Sequence, residues 1–369
     1  MPFQSASFGG KSRQALILRP ALVFPFITLL VLFGTLAAHF TGNLIHAAPA
    51  NGEPVSFPGS VSPLVARSHL NGPADPGQHI SLSIGLRPRN ADALTKYVQD
   101  ISSPKSVNFH RYLTPTQVAG IYSPTKTTYN TVVQFLQSSG FTITSTYNHR
   151  LLIAFSGTIG QAEQVFHVSI NSYTARDGHV FYANASNPSL PASIAAVIQS
   201  ISGLNNAARW HHPPMRMRSV KAHATPQSIA CPGTNSGYVT PAQTAGAYNL
   251  NGLYNVNYRG EGQTVALFEL DTFQMSDLTN YASCFAGGHT AISTVFTGAN
   301  PVPTDGGVLE VELDAELVLS AAPQLGILRI YEAANNPADY NAEWARIISD
   351  APPIVSTSWG LCEQDTTLQ

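Results

Sequence analysis

The chain has 369 residues, enough for two domains and a leader. Charged residues make up 11%, far below the quarter or so usual for soluble domains, and the formal net charge of -2 gives no basic field, which excludes nucleic acid as the expected partner. Sparse charge beside 44% hydrophobic residues suits an exported protein with a sizeable core, and suits an acidic medium, where fewer carboxylates must be protonated as pH falls.

Lys11, Arg13 and Arg19 lead into residues 20–40, which contain no Asp, Glu, Lys or Arg, and Ala48-Pro49-Ala50 offers small residues for cleavage. Residues 1–50 are therefore expected to be a signal peptide, or an uncleaved anchor with its basic end inside, because the apolar run reaches the length of a membrane span. The chain is expected to be secreted, or held at a membrane through this segment alone. Residues 51–78, rich in Pro, Gly and Ser, read as linker.

Residues 79–206 read as a compact unit. His79-Ile80-Ser81-Leu82-Ser83-Ile84-Gly85-Leu86 alternates as a strand does. Ala93, Leu94, Tyr97, Val98 and Ile101 have helical spacing, with Asn90 as the cap. A short helix follows Thr114-Pro115, and an amphipathic helix over 127–139 closes at Gly140. Strands over 141–147 and 151–156 meet at Asn148-His149. A third helix spans 159–166, and 168–175 with 179–183 form a hairpin around Asp177-Gly178. Helices alternating with antiparallel pairs predict an open α+β sandwich of the ferredoxin-like kind. His110, His149, His167 and His179 lack metal-ligand spacing and read as structural or surface residues.

Residues 207–230 break the pattern. Arg209-Trp210-His211-His212-Pro213-Pro214-Met215-Arg216-Met217-Arg218 is basic and Pro-containing, the make-up of a linker open to proteolysis rather than of a metal tract. The chain has three cysteines, which in an exported protein suggests one pair and one left over. Cys231 and Cys284 flank the start of the second unit and are expected to bond; Cys362 is left without a partner.

The second unit, 231–369, opens with a capped helix after Tyr238-Val239-Thr240-Pro241. Gly260-Glu261-Gly262-Gln263 then turns into Thr264-Val265-Ala266-Leu267-Phe268-Glu269-Leu270, a continuous apolar strand with an acid near its end. Strands buried on both faces read this way, and the C-terminal ends of such strands carry sites in α/β sheets. A helix over 276–286, a strand over 325–331, a helix over 337–349 and a strand end at Ile354-Val355-Ser356-Thr357-Ser358-Trp359-Gly360 complete an α/β pattern.

Within it, residues 306–319 form a helix that is apolar almost all round yet carries several carboxylates. Leu309, Leu313 and Leu317 recur every four residues, and Val311, Ala315 and Val318 adjoin them. Such a helix is expected to be buried, with Asp305 and two glycines at its start. Glu310 and Asp314 stack one turn apart; in a dry site they cannot both ionise easily and would share a proton, which is useful for acid–base work at low pH. Glu312 and Glu316 make a second pair, and spacing alone does not choose between them.

The order of these features resembles the sedolisins, the serine-carboxyl peptidases that include kumamolisin and the tripeptidyl peptidases. In the first unit the likeness is carried by Phe109-His110-Arg111-Tyr112-Leu113-Thr114, Ser138-Ser139-Gly140-Phe141-Thr142 and Phe155-Ser156-Gly157-Thr158. In the second it is carried by Tyr238-Val239-Thr240-Pro241, the turn and strand from Gly260, Glu310-Val311-Glu312-Leu313-Asp314 and Ser356-Thr357-Ser358-Trp359-Gly360. The resemblance spans about residues 79–365. It implies an activation prosegment followed by the N-terminal part of a subtilisin-like, parallel-sheet peptidase domain. It implies that Glu310 takes the proton of a serine nucleophile, that Asp314 orients Glu310, and that Glu269 and Trp359 extend the hydrogen-bond chain as an outer layer. The pair 310/314 is thereby preferred. The family's serine, oxyanion-hole aspartate and calcium site would all lie beyond Gln369, so calcium is expected in the full-length fold with no ligand in this chain, and the chain alone is expected to be inactive with an uncovered sheet edge. The implied partners are a peptide or protein substrate and the prosegment as an intramolecular inhibitor. The alternatives are a prosegment-like inhibitor or chaperone of a related peptidase, and a plain exported structural domain. A subtilisin-type triad would need an Asp-Thr/Ser-Gly motif and a His-Gly helix, and the sequence has neither.

Overall fold

The computed structural model describes residues 53–213, 231 and 239–361. The leader, residues 214–230 and Cys362 lie outside the described residues. The elements in order are β1 (Pro54–Ser56), β2 (His69–Pro73), β3 (His79–Leu86), α1 (Ala91–Ser102), α2 (Pro115–Ile121), α3 (Lys126–Ser138), β4 (Thr142–Thr146), β5 (Leu152–Thr158), α4 (Ile159–Phe166), β6 (Ile170–Thr174), β7 (Val180–Asn184), β8 (Ser189–Pro191), α5 (Ala192–Ala195) and β9 (Ile198–Ser202). Then come α6 (Pro241–Ala247), α7 (Asn251–Tyr254), β10 (Thr264–Glu269), α8 (Met275–Phe285), β11 (Ala291–Phe296), α9 (Asp305–Ala321), β12 (Ile327–Glu332), α10 (Pro337–Asp350) and β13 (Ile354–Thr357).

The first group is built on an antiparallel sheet of order β4-β5-β3-β9. Alternation along β3 and β5 puts Leu82, Ile84, Ile153 and Phe155 on one face, where Val132 and Leu136 of α3 and Phe166 of α4 cover them. Helices α2 and α4 start with capping boxes at Thr114/Gln117 and Thr158/Gln161, which fixes where each begins. Asn90 precedes α1 in a left-handed conformation and its side chain makes no cap bond, contrary to the expected N-cap. The stretch 51–78, expected as linker, contains β1 and β2, which pair with β8 and β6. Its Pro and Gly content reflects an edge strand interrupted at Gly72, where the register shifts, rather than free chain.

The second group is a parallel sheet of order β11-β12-β10-β13. Residues Val265 to Glu269 of β10 are all buried, as the unbroken apolar run predicts. One face packs Val265, Leu267, Leu328 and Ile330 against Leu278 of α8 and Val311, Ala315 and Leu319 of α9. The other packs Ala266, Phe268 and Tyr331 against Ile347 of α10 and Trp210. Strand β11 was not evident from the sequence. The edge strand β13 is exposed along its length. Helix α9 is less buried than its composition suggests: Leu313 and Leu317 lie open to solvent, because the inward stripe is Val311, Ala315 and Leu319 instead.

Helix α10 is shared. Its inner face closes the parallel sheet, and its outer face lies on the back of the β3–β5 sheet, where Ala342 and Ala345 meet Tyr147 and Ala154. The Tyr147 hydroxyl donates to the Ala342 carbonyl at 3.0 Å. His149 Nδ1 accepts from the Leu151 amide at 3.2 Å, so its Nε2 donates to the Ala345 carbonyl at 3.1 Å. Asn341 donates to the Ser202 hydroxyl at 3.1 Å. The expected unpatterned segment is also packed at its start: Ala207, Ala208 and Trp210 are buried, with Trp210 stacked on Tyr340. Two alanines and a tryptophan are enough apolar surface to hold it down.

Candidate active site

The site forms where β10 ends. Glu269, the last residue of β10, is fully buried and points towards Trp359, two residues past β13. The Trp359 indole Nε1 donates to Glu269 Oε2 at 2.8 Å, and the Glu269 amide donates to Glu343 Oε1 of α10 at 3.0 Å. Glu269 Oε1 has no partner among the described residues. Burial pushes the Glu269 carboxyl well above its usual range; the indole opposes this, while Asp314, Glu310 and Glu332 add to it.

Helix α9 delivers the next layer. Its N-cap is Thr304, whose hydroxyl accepts from the Gly307 amide at 3.1 Å. Thr304 is in turn tied to Asp271, just beyond β10: the Thr304 hydroxyl donates to Asp271 Oδ2 at 2.6 Å and its amide at 3.1 Å. Asp271 is buried, and a Cβ at Gly307 would lie 1.9 Å from its Oδ2, so this first turn closes on the strand end only because residue 307 is glycine. One turn in stands Glu310, 3% exposed, with Asp314 below it half-buried. Burial raises the Glu310 carboxyl, the Asp314 charge raises it further, and His212 and the Ser358 hydroxyl oppose the rise. Burial raises Asp314 too, with Ser358 opposing. Glu310 Oε2 and Asp314 Oδ2 make no hydrogen bond among the described residues.

The rival pair faces elsewhere. Glu312 Oε1 accepts from the Gln274 amide before α8 at 3.1 Å. Glu316 is pushed to about 7 by burial, then by Glu312 and Asp277. Both pairs are perturbed; of the two, it is Glu310 and Asp314 whose charges raise Glu269.

Residues 209–213 run across this site. His211 exchanges two backbone hydrogen bonds with Gly360, at 2.9 and 3.0 Å, as an antiparallel partner would. His212 then places Nδ1 3.8 Å from Glu310 Oε2 and its ring edge-on to Trp359. Gly306 leaves room for that ring, for a Cβ there would lie 2.9 Å from His212 Nε2. The cleft under this segment is bounded by Asp271, Thr304, Asn335 and Trp359.

The structure thus places near one another the four residues singled out in the sequence, Glu310, Asp314, Glu269 and Trp359. Cys231 and Cys284 are joined as a disulfide. Sequence reasoning missed Asp271, Glu343, Glu332 and Asp339, all buried. Glu332 ends β12 in register with Glu269, and Asp339 and Glu343 repeat the one-turn acid spacing of α9; both patterns were available as signals. Chemically, two carboxyls one helical turn apart beside a buried strand end, both raised by burial, can hold and pass a proton.

Residues 66–207 match the family described as "Pro-kumamolisin, activation domain". The chain is 28% identical over 316 residues to xanthomonalisin of Xanthomonas sp. (strain T-22), covering 80% of this chain and 36% of that protein. It is 25% identical over 338 residues to tripeptidyl-peptidase 1 of Rattus norvegicus, covering 89% and 56%. It is 24% identical over 299 residues to sedolisin of Pseudomonas sp. (strain 101), covering 78% and 49%. The chain therefore spans between about a third and just over half of the length of these relatives.

Proposed function

Since the chain belongs to the sedolisin family of serine-carboxyl peptidases, we propose that it carries the prosegment and the proton-handling part of a secreted, acid-acting endopeptidase or tripeptidyl peptidase. Glu310 serves as the general base towards a serine, Asp314 holds its orientation and shares its proton, and Glu269 with Trp359 fixes the layer behind them. The observation that supports this most directly is the convergence of these four side chains on one strand end, with a segment laid over them in substrate-like antiparallel pairing. Residues 79–206 act as the inhibitor in this reading. Their strand order, β4-β5-β3-β9 with helices between, supports a ferredoxin-like frame, and the parallel sheet supports a subtilisin-like one. With residues 207–213 packed down, release requires a cut within 214–230.

Acyl transfer also needs a nucleophile and an oxyanion hole, and we assign neither to these 369 residues, which contain no Gly-Thr-Ser motif. We assign no residue to the calcium implied by the family. Among the described residues no group of three His, Cys, Asp or Glu is placed to hold a metal ion, and no helix is long and apolar enough to cross a membrane. The test is peptide hydrolysis at acidic pH by the full-length protein and its Glu310→Gln variant. A loss of about 100- to 10,000-fold is expected; an active parent with an unimpaired variant removes Glu310 from the mechanism. The docking of an entire activation domain on α10 favours a second reading, in which this chain alone inhibits or chaperones a related peptidase. Adding it to such an enzyme without slowing hydrolysis or aiding refolding rejects that reading.

A further inference from the structure

Behind Glu269 lies a carboxyl that the reaction outlined above does not use. Glu343 is fully buried in the middle of α10. Its Oε1 accepts the Glu269 amide at 3.0 Å, and its Oε2 has no partner among the described residues. A residue retained only for packing would not be an acid here. A buried carboxylate with one orphaned oxygen is costly, and an apolar side chain of similar volume would stabilise the core better. The buried apolar residues of this helix, Pro337, Ala338, Ala342, Ala345 and Ile347, follow that rule; the other buried acid, Asp339, has its Oδ2 bonded by the Asn336 side-chain amide at 2.7 Å.

The surroundings decide what form the acid takes. The charges that bear on Glu343 are Glu269 from β10, Glu332 from β12 and Asp339 from its own helix; those that bear on Glu269 are Asp314 and Glu310 from α9 and Glu332 from β12, with Glu343 in contact through the Glu269 amide. Every one is an acid; among the described residues His212 bears on Glu310, while no cation bears on Glu343 or Glu269. Such a group cannot all be ionised in a dry interior, so protons must reside within it.

We propose that Glu343 is a positioning residue for the candidate site: one of its oxygens anchors the Glu269 backbone, and the other makes Glu343 the like-charged neighbour that keeps a proton shared with the Glu269 carboxyl. Glu269 then presents a fixed, partly protonated acceptor to Trp359, and the layer beneath Glu310 and Asp314 neither swings nor discharges as those groups exchange a proton. Burial raises both carboxyls, and the Glu269 charge adds to the rise of Glu343 while its backbone amide opposes it. The inference rests on the reading of Glu310 and Asp314 as the acid–base pair.

The Trp359 indole N–H reports the charge of Glu269, because it donates to Oε2. Its resonance, assigned with Trp359→Phe, is followed by NMR from acidic to neutral pH in the parent chain and in Glu343→Gln. The amide variant keeps an acceptor for the Glu269 N–H and removes the charge. A purely structural Glu343 would leave the titration unmoved. The expected result is a midpoint lowered by about one pH unit, with the fold intact by circular dichroism. An unshifted midpoint overturns the proposal. Should Glu343→Gln fail to fold, the parent decides: the side-chain carboxyl carbons of Glu269 and Glu343 must titrate with the same two midpoints, and independent single steps overturn it. Neither readout involves hydrolysis, so failure here is distinct from an unimpaired Glu310→Gln enzyme, which bears on the acid–base reading alone.

Discussion

Gly307→Ala should destabilise the second unit even though alanine is the better helix former. Within a helix, replacing Gly by Ala contributes up to about 1 kcal/mol of stability. At position 307 the added Cβ meets Asp271 Oδ2 at 1.9 Å, Cγ at 2.5 Å and Cβ at 2.7 Å. Asp271 is buried and is held by the amide and hydroxyl of Thr304, so it is not a free-swinging side-chain end. Either α9 shifts, at the roughly 1–3 kcal/mol of an overpacked core, or Asp271 turns away and forfeits charge-assisted bonds worth about 1.5–3 kcal/mol. Either response alone, less the helix gain, leaves a net loss of about 1–2 kcal/mol, or roughly 3–6 °C in melting temperature for a unit of this size. Gly246→Ala is the control. It sits in α6 of the same unit with nothing within 4 Å of the new Cβ, and should stabilise by up to about 1 kcal/mol. Thermal unfolding of the pair separates the two effects. If Gly307→Ala melts as high as Gly246→Ala, the Asp271–Thr304 clasp does not position α9 and the account of the site's geometry is wrong.

Stability should rise as the medium is acidified from neutrality. Burial holds Glu332 and Glu316 at about 7 and Asp339 at about 6, with Glu269, Glu343, Glu310 and Asp314 also raised. A carboxyl raised on folding stabilises below its unfolded value near 4 and loses that contribution as pH climbs through the folded value, so the gain falls between about pH 7 and 4. His149 and His179, lowered by burial, act in the opposite sense, but the acids outnumber them. A melting temperature that falls steadily from pH 7.5 to 4.5 would contradict this balance. Reducing Cys231–Cys284, which closes a separation of 53 residues, should cost about 4 kcal/mol, read as a lower urea midpoint in reductant; an unchanged midpoint with both thiols titratable would show that the bridge does not restrain the unfolded chain.

The parts of the fold that could be read from the sequence are those in which one face or one run decides the element. The unbroken run of β10 announced a strand buried on both sides, and the three helices of the first unit lie close to their apolar periods. The acids of α9 were legible by spacing, whereas the choice of 310/314 over 312/316 came from the family likeness, since it depends on which face meets β10. Strand β11 is only half-buried, so its pattern carried little signal. Residues 207–213 misled because basic and proline-rich composition says nothing of a docking groove elsewhere in the chain. The exposure of Leu313 and Leu317 shows the same limit, for a helix apolar all round does not reveal which stripe its neighbours cover.

Helix α10 explains why so much of the site stayed hidden. Its outward carbonyls at Ala342 and Ala345 receive Tyr147 and His149, while its inward face places Glu343 against Glu269. A helix pressed between two sheets must be small on both faces, hence Ala338, Ala342 and Ala345. That leaves few positions for anything else, so the acid at 343 stands out once the packing is known and reads as an ordinary surface residue before it. The first unit and Glu269 therefore bear on one helix from opposite sides. The close approach at Gly203, where a Cβ would lie 2.2 Å from the Ser81 carbonyl and 3.1 Å from Ala338, leaves no slack in that contact. Docking of the first unit thus fixes the helix that in turn fixes Glu269.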